Sequence, residues 1–164
     1  MDQKTLKQLL RYEPETGDFY WIVRGRKRRL DSPAGWTALN GYRYISIAHK
    51  MHLAHRLAWL YVHGYFPSAE IDHQDGDALN NRICNLRLAS SSQNKMNRRA
   101  SVNKSSGVRG VFIDRRRKNP RIYAAIKKDG KKIYLGSFSS IPEAEAAYKI
   151  AAADLFKEFA VDHG

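Results

Sequence analysis

The chain has 164 residues, 43% of them hydrophobic, which suffices for one medium-sized domain or two small ones with modest cores. Its 29 Lys and Arg residues outnumber 16 Asp and Glu residues, and the net charge of +13 indicates a polyanionic partner, nucleic acid before acidic membrane. No apolar stretch is long enough to span a bilayer and the first residues lack a secretory signal, so we expect a soluble, cytoplasmic protein without membrane contact.

Cysteine occurs once, at Cys84, which excludes an internal disulfide and any Cys-rich zinc site. We expect this side chain to pack as a small apolar residue. Nothing in the sequence indicates a protein partner.

The chain ahead of residue 71 shows cap, turn and periodicity signals for two helices and several strands. The predicted elements are a helix over 2–12 capped by Asp2, a strand over 18–23, strands within 35–48 around the turn Asn40-Gly41, and a helix over 54–62 ended by Gly64.

A basic loop follows the predicted strand over 18–23. Residues 24–29 have the sequence RGRKRR, which fits either a solvated loop or a clamp on nucleic-acid phosphates. Given the total charge we favour phosphate contact, and we expect it from Arg26, Arg28 and Arg29.

Residues 71–94, IDHQDGDALNNRICNLRLASSSQN, combine an acid and a histidine with a polar loop. Their pattern predicts a strand, a loop, a second strand and then a helix capped by Ser90. Asp72 and Asn94 would offer two oxygen ligands to a hard divalent cation, and His73 beside them could deprotonate a water molecule.

This stretch resembles the HNH endonucleases, especially the phage and intron-encoded homing type with the ββα-metal fold. The resemblance includes an upstream helix with the sequence HRLAW. It implies His73 as general base, with Asp72 and Asn94 holding the metal ion and the scissile phosphate. It also implies that Asn85 braces the loop and that His55 supports the site. Oxygen ligands favour Mg²⁺, with Mn²⁺ as a substitute.

The segment over 98–107 is small, polar and basic, as is typical of a linker. We expect Arg98 and Arg99 to contact DNA phosphates.

A second domain is predicted beyond the linker. Alternating apolar residues indicate three antiparallel strands, and a capping box indicates one helix packed on their sheet. The predicted elements are strands over 108–114, 121–127 and 131–138, the hairpin turn Asp129-Gly130, and a helix from Ser140 to about Phe159 with Ala144, Ala147, Ala151 and Leu155 on its inner face.

The motifs GVRGV, YAAI, YLGSF and EAEAAY, in this order, make the second domain resemble the Apetala-type (ethylene-response-factor) DNA-binding domain. In that family the sheet enters the major groove. Tyrosines replace the usual tryptophans at two positions, so the DNA sequence that is recognised cannot be transferred. Strand alternation and the resemblance together predict DNA contacts for Arg109, Arg121, Tyr123, Lys127, Lys132 and Tyr134.

The sequence therefore predicts an α+β protein of two domains. Residues 1–97 form a ββα-metal (HNH) nuclease domain, 98–107 a basic linker, and 108–164 a three-stranded antiparallel sheet with one helix that binds double-stranded DNA. The predicted function is metal-dependent, site-directed DNA cleavage by a homing endonuclease. Two alternatives stay open: a DNA-binding regulator with a decayed nuclease site, and an RNA-binding protein.

Overall fold

The computed structural model describes residues 1–25, 30, 32–97, 103–116 and 118–160. The chain divides into two compact units, Met1–Ala89 (the front unit) and Ser90–Gly164 (the rear unit). Each contains helices and antiparallel strands, which agrees with the predicted α+β class. The boundary between the two units, at Ala89 and Ser90, lies ahead of the predicted linker over 98–107.

The front unit begins with a short helix and a hairpin. α1 (Gln3–Leu9) starts at Asp2, whose carboxylate accepts a 2.7 Å hydrogen bond from the backbone N–H of Thr5. The helix was predicted to continue to residue 12, and this is wrong. β1 (Leu10–Glu13) pairs antiparallel with β2 (Asp18–Trp21) instead. This pairing buries alternate β1 side chains, which outweighs local helix propensity.

A three-stranded antiparallel sheet follows, made of β3 (Trp36–Thr37), β4 (Arg43–Ile47) and β5 (Lys50–Leu53). The predicted turn at Asn40-Gly41 joins its first two strands, and Gly41 has a φ of 83°. Such a backbone conformation favours glycine and asparagine, so the local sequence sufficed to locate the hairpin.

Helix α2 (Ala54–His63) ends at Gly64 as predicted, where φ is 84°. The face of α2 that carries Leu57 and Leu60 is buried in the core of the front unit. The largest apolar side chains of that core with almost no exposed surface are Leu6, Leu10, Phe19, Ile45, Leu57 and Leu60.

The central hairpin consists of β6 (Glu70–His73) and β7 (Leu86–Ala89), joined by a loop that ends in a 3₁₀ turn at Ile83–Asn85. The strands are antiparallel, with Asp72 opposite Arg87 and His73 opposite Leu86. The predicted strand, loop and strand are thus confirmed. Cys84 was expected to be packed inside, but it is exposed because the 3₁₀ turn leaves it on the surface.

The rear unit begins with α3 (Ser91–Asn97). Ser90 and Gln93 form a reciprocal cap, in which Gln93 N donates to Ser90 Oγ at 3.3 Å and Ser90 N donates to Gln93 Oε1 at 2.8 Å. The predicted N-cap is therefore confirmed.

The sheet of the rear unit has the order β10-β9-β8, built from β8 (Val111–Asp114), β9 (Arg121–Lys128) and β10 (Lys131–Phe138). At the predicted turn, Asp129 has a φ of 48° and Gly130 one of 81°, as a type I′ hairpin requires. The predicted three-stranded antiparallel sheet is thus confirmed.

Helix α4 (Ile141–Phe156) packs on this sheet and is capped by Ser140, whose Oγ accepts from Glu143 N. Of its predicted inner face, Ala144 is buried as expected, but the other buried residues repeat every four positions from it and include two aromatic rings. These buried residues are Ala144, Tyr148, Ala152 and Phe156. The predicted Ala147, Ala151 and Leu155 are only half-buried beside this stripe.

Candidate functional site

Asp72 and His73 end strand β6, and both are almost fully buried, at 3% and 6% exposure. Asp72 Oδ2 accepts a 2.9 Å hydrogen bond from Nε of Arg87, its cross-strand partner. The strand register thus sets the guanidinium directly against the carboxylate within the hairpin. The pattern of β7 alone did not single out Arg87, although the strand register places it directly opposite Asp72.

The His73 ring is held by an amide and by two aromatic neighbours. Its Nε2 lies 3.3 Å from Asn81 Oδ1, while Asn81 Nδ2 donates to the Leu79 carbonyl at 3.1 Å. Because the amide oxygen faces the ring, Nε2 carries the proton in this arrangement, and the lone pair of a neutral imidazole lies on Nδ1. Nδ1 is therefore the atom suited to accept a proton from water.

The protonation state of His73 fits the same role. Burial lowers the pKa of His73 below its ordinary value of 6.5, although the hydrogen bond to Asn81 and the carboxylates of Asp75, Asp72 and Asp77 oppose this change. A histidine with a lowered pKa is neutral at pH 7, and only the neutral form can act as a base.

His55, predicted to support the site, lies on α2 with its ring 5.1 Å from that of His73, at an interplanar angle of 87°. Burial lowers its pKa to about 3, and the charges of His73 and Arg56 act in the same direction. The Tyr42 ring lies beside both imidazoles, with its centroid 5.5 Å from that of His55 and 6.1 Å from that of His73. The two imidazoles are buried and Tyr42 is half-buried beside them. The sequence did not identify Tyr42, which belongs to a distant loop.

The loop between β6 and β7 is held by Asp75, which accepts hydrogen bonds from the amide groups of Asn85 and Asn80 at 2.9 Å and 2.6 Å. Partial burial raises the pKa of Asp75, but the hydrogen bonds from Asp77 N, Asn80 and Asn85 together lower it by more. The pKa of Asp75 therefore lies below its ordinary value. Asn85 also donates to the Asn80 carbonyl and accepts from Asp75 N. It thus makes the contacts of a brace, the role that the resemblance implied for it.

The β1–β2 hairpin fixes the same loop from outside. Tyr12 donates a 2.8 Å hydrogen bond to the Asn81 carbonyl, and burial raises the pKa of this tyrosine to about 12. Gly17, with a φ of 78°, approaches the loop so closely that a Cβ atom would lie 2.5 Å from Arg82 N. Only glycine therefore fits at position 17, and the His73 partner Asn81 is located by a contact that spans 69 residues.

Asn94, the second predicted metal ligand, lies in the middle of α3, with its backbone N–H bonded to the Ser90 carbonyl at 3.0 Å. It belongs to the rear unit, whereas Asp72 and His73 belong to the front unit. The joint action of Asp72 and Asn94 stays a prediction.

Within the described ranges, no three His, Cys, Asp or Glu side chains come together in a way that could hold a metal ion. A carboxylate and an amide oxygen nevertheless suit Mg²⁺, which commonly takes only one or two protein carboxylates and completes its shell with water and phosphate oxygens. The donor types of Asp72 and Asn94 therefore fit the predicted ion.

The outer face of the rear sheet carries aromatic and basic side chains together. The rings of Phe112 and Tyr123 stack at 5.1 Å and 14°, and the Tyr134 ring lies 6.0 Å from that of Tyr123. The Lys132 ammonium lies over Phe112 and Tyr123, and Arg121 donates to the Tyr134 hydroxyl. The predicted Tyr123, Lys132, Tyr134 and Arg121 therefore share one surface.

The other predicted DNA contacts have different outcomes. Lys127 is exposed and pairs with Lys132 across the β9–β10 hairpin. Two donors of Arg109 are engaged by backbone carbonyls at the end of α3, those of Lys95 and Met96. Some predicted positions lie outside the described residues, namely Arg26, Arg28, Arg29, Arg98 and Arg99.

Comparison with known proteins supports the predicted nuclease motif. Residues 52–96 match the family model of the HNH endonucleases, and this range includes Asp72, His73 and Asn94. The chain is also 34% identical over 112 residues to an uncharacterized HNH endonuclease of Acanthamoeba polyphaga mimivirus, an alignment that covers 68% of this chain. The chain spans 56% of the length of that relative. No solved structure matches the chain.

These matches confirm an HNH endonuclease domain and support a nuclease. The Apetala-type resemblance of residues 108–164 stays a prediction. No helix in the described part of the chain is long and apolar enough to cross a membrane.

Proposed function

We propose that the protein is a metal-dependent, site-directed DNA endonuclease of the homing type, in which residues 1–97 cleave the phosphodiester bond and residues 108–164 recognise the sequence. The observation that carries this proposal is the buried His73, whose Nε2 faces Asn81 Oδ1 and whose pKa is lowered by burial, within the range that matches the HNH family.

In the proposed reaction, Nδ1 of His73 takes a proton from the water molecule that attacks the phosphorus. Asp72 and Asn94 would hold one divalent ion, Mg²⁺ or Mn²⁺, which when bound stabilises the negative charge on the phosphate and the departing 3′ oxygen. Arg87 holds the Asp72 carboxylate in place through a charged hydrogen bond, and Asn81 keeps the His73 proton on Nε2, so His73 need not change its protonation state before catalysis.

The outer face of the rear sheet supports the recognition role. Lys132 and Arg121 are cations held against aromatic rings, which reduces the conformational freedom that they would lose on binding. Such side chains can reach base edges in the major groove, as the Apetala-type resemblance implies. Basic residues of the loop over 24–29 and of the segment over 98–107 would add phosphate contacts.

One observation favours a second candidate, the binding of single-stranded RNA. Tyr134 is 52% exposed beside Tyr123 and Phe112, and exposed rings on a basic sheet can stack on unpaired bases. Competition between duplex DNA and single-stranded RNA of the same sequence distinguishes the two. Preference for the RNA would contradict the DNA proposal.

Cleavage of supercoiled plasmid DNA tests the nuclease proposal. We expect Mg²⁺ or Mn²⁺ to be required and EDTA to stop the reaction. His73→Ala should lower the cleavage rate by about 10²–10⁴-fold, the usual contribution of a general base. The matched control is His63→Ala, because His63 is exposed at the end of the same front-unit helix that carries His55.

Equal cleavage by the two histidine variants would contradict the assignment of His73. Sequencing the cut ends of genomic fragments from the organism that encodes the chain tests the site-directed part. Scattered ends without a common sequence would contradict it.

A further inference from the structure

Both ends of α3 are attached to other parts of the rear unit. At its C-terminal end, the Arg109 guanidinium donates to the carbonyls of Met96 and Lys95, at 3.0 Å and 3.1 Å. Carbonyls in the last turn of a helix have no partner within the helix, and a cation there is favourable toward the helix dipole. Arg109 therefore fixes the end of α3 as a charged cap.

At the N-terminal end, Ser92 Oγ accepts a 2.7 Å hydrogen bond from the backbone N–H of Asp129, in the β9–β10 turn. Met96, on the inner side of α3, is 6% exposed and lies 3.8 Å from the hydroxyl of Tyr148 on α4. The Tyr148 ring covers Gly110, where an added Cβ would approach the ring within 2.1 Å. The helix is thus fixed by the sheet and by α4 together.

Asn94 lies between these attachments, two residues after Ser92 and one before Lys95. We propose that the rear unit, besides recognising DNA, positions the metal-ligating Asn94, and that Arg109 is the positioning residue. This inference rests on the proposed function. It changes the role predicted for Arg109 from a DNA contact to a support of α3, the helix that carries Asn94.

The geometry distinguishes this role from a phosphate contact. A guanidinium presents parallel donors that can reach two adjacent carbonyls at once, whereas an ammonium is a point charge. Arg109→Lys therefore keeps the charge that a phosphate contact needs but loses the paired contact with α3. Its DNA affinity and its cleavage rate should respond differently.

The experiment compares the wild type with Arg109→Ala, Arg109→Lys, Asn94→Ala and Arg109→Ala/Asn94→Ala. Three quantities are measured: hydrogen exchange of the amides in 91–97, DNA affinity in EDTA, and single-turnover cleavage with Mg²⁺. Arg121→Ala is the control, because Arg121 lies in the same unit on the outer face of the sheet. It should lower affinity and leave exchange in α3 unchanged.

We expect both Arg109 variants to exchange faster in α3 and to bind DNA within about three-fold of the wild type, since most cationic contacts remain. Cleavage should fall by up to about 10²-fold, the cost of misplacing a catalytic group by about 1 Å. Arg109→Ala should have no further effect on cleavage once Asn94 is Ala, because it acts through that residue.

Unchanged exchange in α3, or an additive effect of Arg109→Ala in the Asn94→Ala background, would overturn the inference while the nuclease proposal stands. Loss of affinity in Arg109→Ala with full recovery in Arg109→Lys would also overturn it, in favour of a phosphate contact. A wild-type chain without metal-dependent cleavage would overturn the proposed function, and the inference with it.

Discussion

The central hairpin and the outer face of the rear sheet differ in how far they expose their polar side chains. In the hairpin, His73 is 6% exposed and Asp72 is held by Arg87, whereas on the sheet Tyr134 is 52% exposed. A group that must keep one protonation state benefits from burial, because its neighbours then control its pKa. A group that must contact base edges has to stay accessible. The comparison separates a surface suited to chemistry from one suited to recognition.

The largest expected effect on stability is that of Arg87→Ala. This change leaves the Asp72 carboxylate buried without the guanidinium opposite it, and loss of one partner of a buried pair costs about 3–5 kcal/mol. The free energy of unfolding, measured with urea, should fall accordingly. Arg121→Ala on the exposed sheet face should change it by less than about 0.5 kcal/mol. Similar losses in both variants would remove the contrast between the two surfaces.

The next effect concerns specificity. Lys132→Ala should change the preferred DNA sequence, because a base contact contributes about 1–3 kcal/mol of discrimination. Neutralising Arg28 and Arg29 should weaken binding to all sequences alike, and should reduce the slope of log affinity against log salt by about one per lost contact. Affinities for a panel of target sequences at several salt concentrations test both statements. Uniform weakening by Lys132→Ala would place base recognition elsewhere.

The pH dependence of stability is the third way to test the comparison. The pKa of His55 is about 3 in the folded chain, below its ordinary value of 6.5, so the unfolded chain binds the proton more readily. Stability is therefore fully present above pH 6.5 and is lost as the pH falls toward 3, by at most about 1.4 kcal/mol per pH unit for this group.

Urea unfolding at pH 7, 6 and 5 measures this loss. His55→Phe should make the dependence shallower, because the ring then has no proton to bind. His63→Ala, a change at an exposed histidine, should leave the slope unaltered. An equal slope in the wild type and in His55→Phe would contradict the assignment of this titration to His55.

The smallest effect is expected from Tyr12→Phe, which removes only the hydroxyl that donates to the Asn81 carbonyl. Loss of this bond should lower the free energy of unfolding by about 1 kcal/mol. Cleavage should fall by a few-fold, because the loop that orients His73 loses its contact with β1. Tyr65→Phe is the matched control, since Tyr65 is 52% exposed. Equal cleavage by the two variants would show that the loop does not need this contact.

Local signals predicted much of the fold. The turns at Asn40-Gly41 and Asp129-Gly130 and the caps at Asp2, Ser90 and Ser140 are confirmed, because each depends on a few neighbouring residues. The end of α1 was wrong because Leu10 and Tyr12 pair with β2, and strand pairing depends on a partner elsewhere in the chain. The inner face of α4 was shifted because Tyr148 and Phe156 fill space that a pattern of alanines does not reveal.

In the candidate site too, local signals located some residues, whereas contacts between distant segments could not be predicted. Asp72 and His73 could be selected because they are adjacent and belong to a recognisable motif. Asn81 and Tyr42 could not, since their contacts with His73 depend on how the loops fold around it. Arg109 was placed on DNA from its charge and its position in a motif. Its contacts with α3 depend on the approach of two segments that are 13 and 14 residues apart.

The exposed Cys84 gives the protein a natural chemical handle. It is the chain's single cysteine and lies in the 3₁₀ turn beside Asn85, at the end of the loop that orients His73. A maleimide dye can therefore be attached at this one position of the unaltered sequence, without removing other thiols. Its fluorescence would report in real time when DNA arrives at the loop, separately from the moment at which the strand is cut.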